Sequence, residues 1–232
     1  MPDDTQTQND DWQKIWDARI AALTPILGKP EDTVLHAVNP FQLGGFADVL
    51  SFPDFTPGIT YVTAEMTGED VGQRPTTLGN YELMICARQE LQKAGDLISK
   101  LARYTCDAEL EPGETMDLAA FFGDSTIRAL LFTHPREQPV HFEFLGQRYG
   151  LLLCIGITAK ELAFKEAHGS ESLLALLRQH GIFPYTTPGR PSVPLPRGGS
   201  FFSRLFGRWR HRPIRFGRNR PENQLDHVPA AA

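Results

Sequence analysis

The sequence predicts an α+β fold, with a mixed and largely antiparallel sheet flanked by helices, and three observations carry that reading. Apolar residues switch repeatedly between a spacing of two and a spacing of three to four along the chain. The strand-like segments are not interleaved with helices in regular βαβ units, which argues against a doubly wound sheet. One run, 151–157, is apolar without alternation, as expected of a central strand covered on both faces.

The elements follow in order. Trp12, Ile15, Trp16, Leu23, Ile26 and Leu27 fall at helical spacing, with Asp11 as N-cap and Gly28 and Pro30 as the stop. Segments 46–52 and 59–67 read as strands separated by Pro53, Asp54, Pro57 and Gly58. Segment 81–87 alternates, with Tyr81, Leu83 and Ile85 on one face and Glu82, Met84 and Cys86 on the other. Leu91, Ala94, Leu97, Ile98, Leu101 and Ala102 return to helical spacing.

Short strands are predicted at 115–118 and 127–133, the latter ended by Pro135, which cannot continue an interior ladder. Val140, Phe142 and Phe144 alternate with His141 and Glu143 before Gly146 and Gln147 turn the chain into the 151–157 run. Thr158 and Glu161 have capping-box spacing and open a helix to His168, closed by Gly169; a last helix covers 170–180 and turns Leu173, Leu174, Leu176 and Leu177 inward. The division expected is a disordered N-terminus at 1–11, one folded domain at 12–183, and a disordered Pro/Gly-rich linker with a basic aromatic tail at 184–232.

Composition bounds the function. At 232 residues, 41% hydrophobic and 22% charged, the chain is of ordinary globular make-up, and its longest apolar run is far short of the about 20 residues that cross a bilayer. The acidic, polar start is the reverse of a secretory signal, so a cytoplasmic location is expected. Three cysteines without a CxxC pair argue for reduced core thiols rather than a disulfide frame or zinc knuckle. The net charge of −5 hides a division: residues 1–189 hold 14 Lys+Arg against 26 Asp+Glu, while residues 190–232 hold nine Arg against two acids.

Few residues suggest chemistry. There is no GxSxG elbow, HExxH pair, GxGxxG turn or P-loop, so no catalytic residue, metal or cofactor is assigned and the chain is read as no enzyme. Asp48, an acid inside an apolar strand, has two readings: a structural carboxylate that must find donors or a cation, or a partner contact. Asp48, Glu65, Glu82 and His141 are the titratable candidates for a site assembled from distant residues. In the tail, Arg204, Arg208, Trp209, Arg210, Arg212 and Arg215 form a candidate binding segment, because arginines interleaved with aromatics can pair phosphates and stack on bases, or lie on an anionic membrane.

Several short matches, in order and at consistent spacing, then make the chain resemble the amino-terminal domain of the suppressor-of-fused family over 45–181. They are Asp48-Val49-Leu50-Ser51-Phe52, Tyr61-Val62-Thr63, Tyr81-Glu82-Leu83 and Leu101-Ala102-Arg103-Tyr104, followed by Leu130-Leu131-Phe132-Thr133 and Gln138-Pro139-Val140. Gly156-Ile157-Thr158, Glu161-Leu162 and the stretch 173–178 complete the series. The resemblance implies a non-catalytic protein-binding domain. Animal members hold zinc-finger transcription factors, and compact bacterial relatives are immunity proteins against toxins. Animal members grip a peptide between this domain and a second one; here a basic tail follows instead, so no peptide-contact residue is carried over. The expected partner is a protein, such as a basic toxin or regulator. The alternative is nucleic-acid or anionic-membrane association through the tail.

Overall fold

The computed structural model describes residues 4–68, 71–118 and 125–196. Helix α1 spans Asp4–Leu27, and strands β1 (Val49–Phe52), β2 (Ile59–Thr63) and β3 (Tyr81–Ala87) follow. Helix α2 (Gln92–Tyr104) precedes β4 (Thr115–Asp117), β5 (Ile127–Thr133), β6 (His141–Phe144) and β7 (Gln147–Thr158), and helices α3 (Ala159–His168) and α4 (Ser170–Gln179) come last. The strands form one sheet in the order β1-β2-β3-β7-β5-β4, with β6 also pairing β7. Every pairing is antiparallel except that of β3 with β7. The α+β reading holds.

Strand β7 organises both layers, because its side chains alternate between two separate apolar clusters. Leu152 and Cys154 join the cluster that α2 covers through Ala94, Leu97, Ile98, Leu101 and Ala102. Leu151, Leu153, Ile155 and Ile157 join the opposite cluster, with Trp16, Leu23 and Leu27 of α1 and Leu173, Leu174 and Leu177 of α4. A strand buried on both faces has no polar face to alternate with, which is why 151–157 is uniformly apolar.

Four boundaries differ from the sequence-based expectation. Helix α1 begins at Asp4 instead of after an Asp11 cap, so residues 4–11 belong to the first helix. Strand β1 starts only at Val49, because Ala47 instead exchanges backbone bonds with α2: its N–H meets Ser99 O at 3.3 Å and its carbonyl accepts Ser99 Oγ at 2.7 Å. Strand β2 stops at Thr63, whose hydroxyl accepts the Leu83 N–H at 2.9 Å. That side-chain bond stands in for a ladder bond and lets the chain turn away from β3. Strand β7 starts early, at Gln147, because residues 147–150 pair with β6 in a tight hairpin.

The largest correction concerns 184–196, expected to be linker. Tyr185 forms a parallel bridge with Cys86 of β3 and the Thr186 N–H donates to Cys86 O at 2.8 Å, while the Tyr185 and Val193 side chains join the α1–α4 layer; Thr186 and Arg190 are buried as well. Gly156 makes the docking possible: a Cβ there would meet Thr186 Cγ2 at 2.9 Å, and its N–H donates to Thr186 Oγ1 at 2.7 Å. The anchor is Arg190, whose Nη1 and Nη2 bond the two Glu161 carboxylate oxygens at 2.6 Å each. Glu161 also closes the capping box with Thr158 and accepts the Val193 N–H at 2.9 Å. Proline and glycine content thus describes a segment without regular structure, not one without contacts. Residues 197–232 lie outside the described residues, as do 1–3.

Burial alone would push the Glu161 pKa up, but the bonds from Arg190, Thr158 and Val193 outweigh it and hold it below the usual carboxylate value. Its contribution is therefore present above about pH 4.5 and lost as the pH falls through the lowered value. Arg190→Ala leaves a buried carboxylate without its cation, and urea unfolding at neutral pH is expected to show a loss of about 3–5 kcal/mol. The loss shrinks in acid, where Glu161 is neutral in both proteins.

Candidate protein-binding surface

One end of the sheet gathers the polar residues that the sequence singles out. There β1 and β3 begin, β2 ends and the β6–β7 hairpin turns. Glu82, on β3, is completely buried and faces α1. Its Oε2 accepts the Thr63 hydroxyl at 2.6 Å and the Met66 N–H at 3.3 Å, and its Oε1 accepts the Thr67 hydroxyl at 2.7 Å. Arg19 of α1 is buried above this end, donates to Thr67 O at 2.9 Å and lies over the Phe144 ring of β6 at 4.8 Å. Its charge is felt by Glu82, Glu65 and Asp48 together. Hydrogen bonds from the turn after β2 offset part of the cost of burying Glu82, and the Arg19 charge adds to them.

Asp48 and Glu65 hold a loop. Asp48 is buried; its Oδ1 accepts the Ala37 N–H at 2.8 Å and its Oδ2 meets His36 Nδ1 at 2.7 Å. Glu65 Oε2 accepts the Asp48 N–H at 3.1 Å and the Phe41 N–H at 3.4 Å. Between these ties, residues 36–46 close on themselves, with Asn39 O accepting the Phe46 N–H and Pro40 O accepting the Leu43 and Gly45 N–H groups. Gly45 is required, since a Cβ there would lie 1.9 Å from Asn39 O. Phe41, in the 3-10 turn Phe41–Leu43, is buried in the α2-side core as an anchor.

Beside the exposed His36, Asn39 and Gln42, the loop shows large apolar side chains to solvent. Val38 is 96%, Leu43 81% and Phe46 44% exposed, and Leu145, at the tip of the β6–β7 hairpin, is 54% exposed. These are four of the six large hydrophobic side chains that are well exposed among the described residues, and all four belong to loops at this end. Leu145 also has φ 50, the only positive φ outside glycine among the described residues. With Gly146 at φ 74 it makes the two-residue turn that normally takes Asn-Gly. An exposed leucine in the left-handed region is unusual, because the strain brings no burial in return.

Of the four titratable candidates, the structure links Asp48 and Glu65 through the Asp48 N–H and places Glu82 at the same end of the sheet, all three within reach of the Arg19 charge. His141 stands apart on β6, where its Nδ1 accepts from Arg148 Nη2 at 3.0 Å; burial, then Arg148 and His134, lower its pKa. The tail residues Arg204, Arg208, Trp209, Arg210, Arg212 and Arg215 lie outside the described residues. Sequence reasoning passed over Arg19, His36, Thr63, Thr67 and the apolar loop. The one available signal was Val38, Leu43 and Phe46 standing in a Pro/Gly-punctuated segment with no helical or strand spacing.

The sequence profile described as Suppressor of fused protein (SUFU) matches residues 47–191, more than half of the chain and including Arg190. The chain belongs to the suppressor-of-fused family. The crystal structure of a SUFU homologue from Neisseria gonorrhoeae FA 1090 is similar with a TM-score of 0.56 at 18% identity, over 80% of this chain and 100% of that one. A Sufu–Fu complex structure gives 0.53 at 14% identity, over 72% of this chain and 83% of that one. Drosophila Suppressor of Fused also gives 0.53 at 14% identity, over 71% of this chain but 46% of its own length. No curated protein sequence matches. At these identities the structures establish a shared fold, and the loop 36–46 precedes the matched family segment.

Burial pushes the Glu82 pKa up to about 7, against the opposing pull of Arg19, Thr63, Thr67 and Met66; burial likewise raises that of Glu65. A raised folded-state value means that the native protein holds the proton more tightly than the unfolded chain, so stability falls as pH rises from about 4.5 to about 7. Glu82→Gln, neutral at every pH, is expected to flatten that decline in a series of urea melts. An unchanged slope would show that Glu82 stays ionised throughout.

Proposed function

We propose that this chain is a non-catalytic protein-binding domain that presents the loop 36–46 and the hairpin tip Leu145 to a protein partner. The observation that carries the reading is the loop whose Val38, Leu43 and Phe46 are exposed, shaped by Asp48 and Glu65 from below. Preorganisation of this kind lowers the entropy cost of association. Family membership supports the same class of function, one relative having been captured in a Sufu–Fu complex. Chemically, Glu82 is shielded from any solvent-borne substrate, and the carboxylates of Asp48 and Glu65 are committed to accepting backbone N–H groups.

A mode of attachment is also at hand. The outer edge of β1 is occupied by Leu35, which exchanges backbone bonds with Val49, and by the Glu31 N–H on Ser51 O. Strand β6 pairs only with β7 among the described residues, so its other edge is open for a partner strand beside Leu145. The acidic body favours a basic partner and salt-sensitive association. Toxin neutralisation or regulation in a cytoplasm are the roles that such a binder would serve.

The reading is tested by capture from native lysate and titration of whatever protein is held. Val38→Asp with Leu43→Asp, both at exposed positions, is expected to weaken that binding by about 2 kcal/mol or more while leaving thermal unfolding almost unchanged. A wild-type chain that holds no protein specifically, or a variant that binds equally well, overturns it. Leu145→Asn relieves the left-handed strain, so it is expected to stabilise the fold by up to about 1–2 kcal/mol and yet weaken binding.

A further inference from the structure

The body carries a surface suited to the arginine-rich end of the sequence. Residues 197–232 hold eight arginines against two acids, interleaved with Phe201, Phe202, Phe206, Trp209 and Phe216. On the body, a groove of about 290 Å³ runs between α1 and residues 29–34. Trp16, Ile20, Val34 and Leu50 form its apolar wall, and the exposed carboxylates of Glu31 and Asp32 belong to its lining, with Lys29 its single cation. Trp12 stacks on Trp16 at 5.4 Å between ring centroids and 13° between planes, which extends the apolar strip along the helix. Trp12 and Ile15 are 46% and 41% exposed, the two remaining members of the exposed hydrophobic set.

Indole faces, an apolar wall and carboxylates together fit a segment in which arginine alternates with aromatic rings. A guanidinium can lie on Trp12 and pair with Glu31 or Asp32, while a ring enters the groove. This chain supplies such a segment, and it is placed to arrive. Val193 and Leu195 pack in the same apolar layer as Trp16, Leu23 and Leu27, so the described chain leaves the body on the face that carries the groove. From Pro196 to Trp209 is 13 residues. Extended, they reach up to about 43 Å at about 3.3 Å each, well beyond the about 16 Å radius of gyration of a domain this size.

We propose that residues 204–216 dock in the groove of the same chain, arginines on Glu31, Asp32 and Trp12 and an aromatic ring against Trp16. The docked segment covers the second exposed apolar strip and is held by charge, so a partner with more phosphate or carboxylate to offer the arginines can release it.

The test uses the full chain with Ser203→Cys carrying a nitroxide and Cys106→Ser removing the half-buried thiol, Cys86 and Cys154 being buried. The chain has three tryptophans, so their indole N–H signals are read directly by NMR, Trp209 serving as the control next to the label. At low salt, loss of the Trp12 and Trp16 signals is expected, equal at all protein concentrations. Both signals should return in about 1 M salt, where the screening length is about 3 Å, and in the Glu31→Lys, Asp32→Lys double variant. The proposal is overturned if the Trp12 and Trp16 signals persist at low salt, if their loss fades on dilution and so belongs to a second copy, or if charge reversal changes nothing. Signals that persist while the tail binds DNA or anionic vesicles overturn it in favour of those ligands.

Discussion

Burial of β7 on both faces is the constraint on which the rest of the structure depends. It pairs β3 along one edge and β5 and β6 along the other, and it divides its side chains between the α2 layer and the α1–α4 layer. A strand so placed cannot shift register by one residue without exchanging Leu152 and Cys154 for Leu151 and Leu153. Both layers are thereby fixed at once. The parallel pairing with β3 follows, and with it the place where Glu82 enters the interior, opposite Leu151.

That place explains the polar end of the sheet. Burying Glu82 makes sense only with Thr63, Thr67 and Met66 turned toward it, which ends β2 early and swings residues 64–68 across the sheet. The swing carries Glu65 to the backbone of Phe41 and Asp48, and Asp48 in turn holds His36 and Ala37. Arg19 of α1 lies buried among them, tied to Thr67 O, and acts on the three carboxylates through its charge. The exposed apolar loop is therefore the outermost link of a chain that starts in the core. Its shape is set by buried polar bonds, not by its own sequence propensity.

Glu161 plays the corresponding role at the far end of β7. Its capping-box bond was readable from the spacing of Thr158 and Glu161, but the same carboxylate also receives Arg190 and Val193 from a proline-rich stretch some 30 residues later. No local pattern announces such a bond. Asp48 was visible as an acid out of place in an apolar strand, whereas Arg19 looked like one more polar position on an amphipathic helix. Its partners are 29 to 63 residues away, so nothing near it in sequence distinguishes it from a solvated arginine.

Periodicity by itself determined the element order, the central strand, the helix starts and stops after β7 and the α+β class, because hydrophobic spacing is imposed locally by the geometry of helix and strand. Composition along the chain likewise determined the division of charge between residues 1–189 and 190–232. Tertiary structure alone decided where β1 starts and β2 ends, that 184–196 is docked, and that Asp48 and Glu65 hold the backbone of an exposed loop while Glu82 is buried behind Thr63 and Thr67. Those outcomes depend on which distant groups meet once the sheet closes, and a buried polar group takes its meaning from the partner that satisfies it.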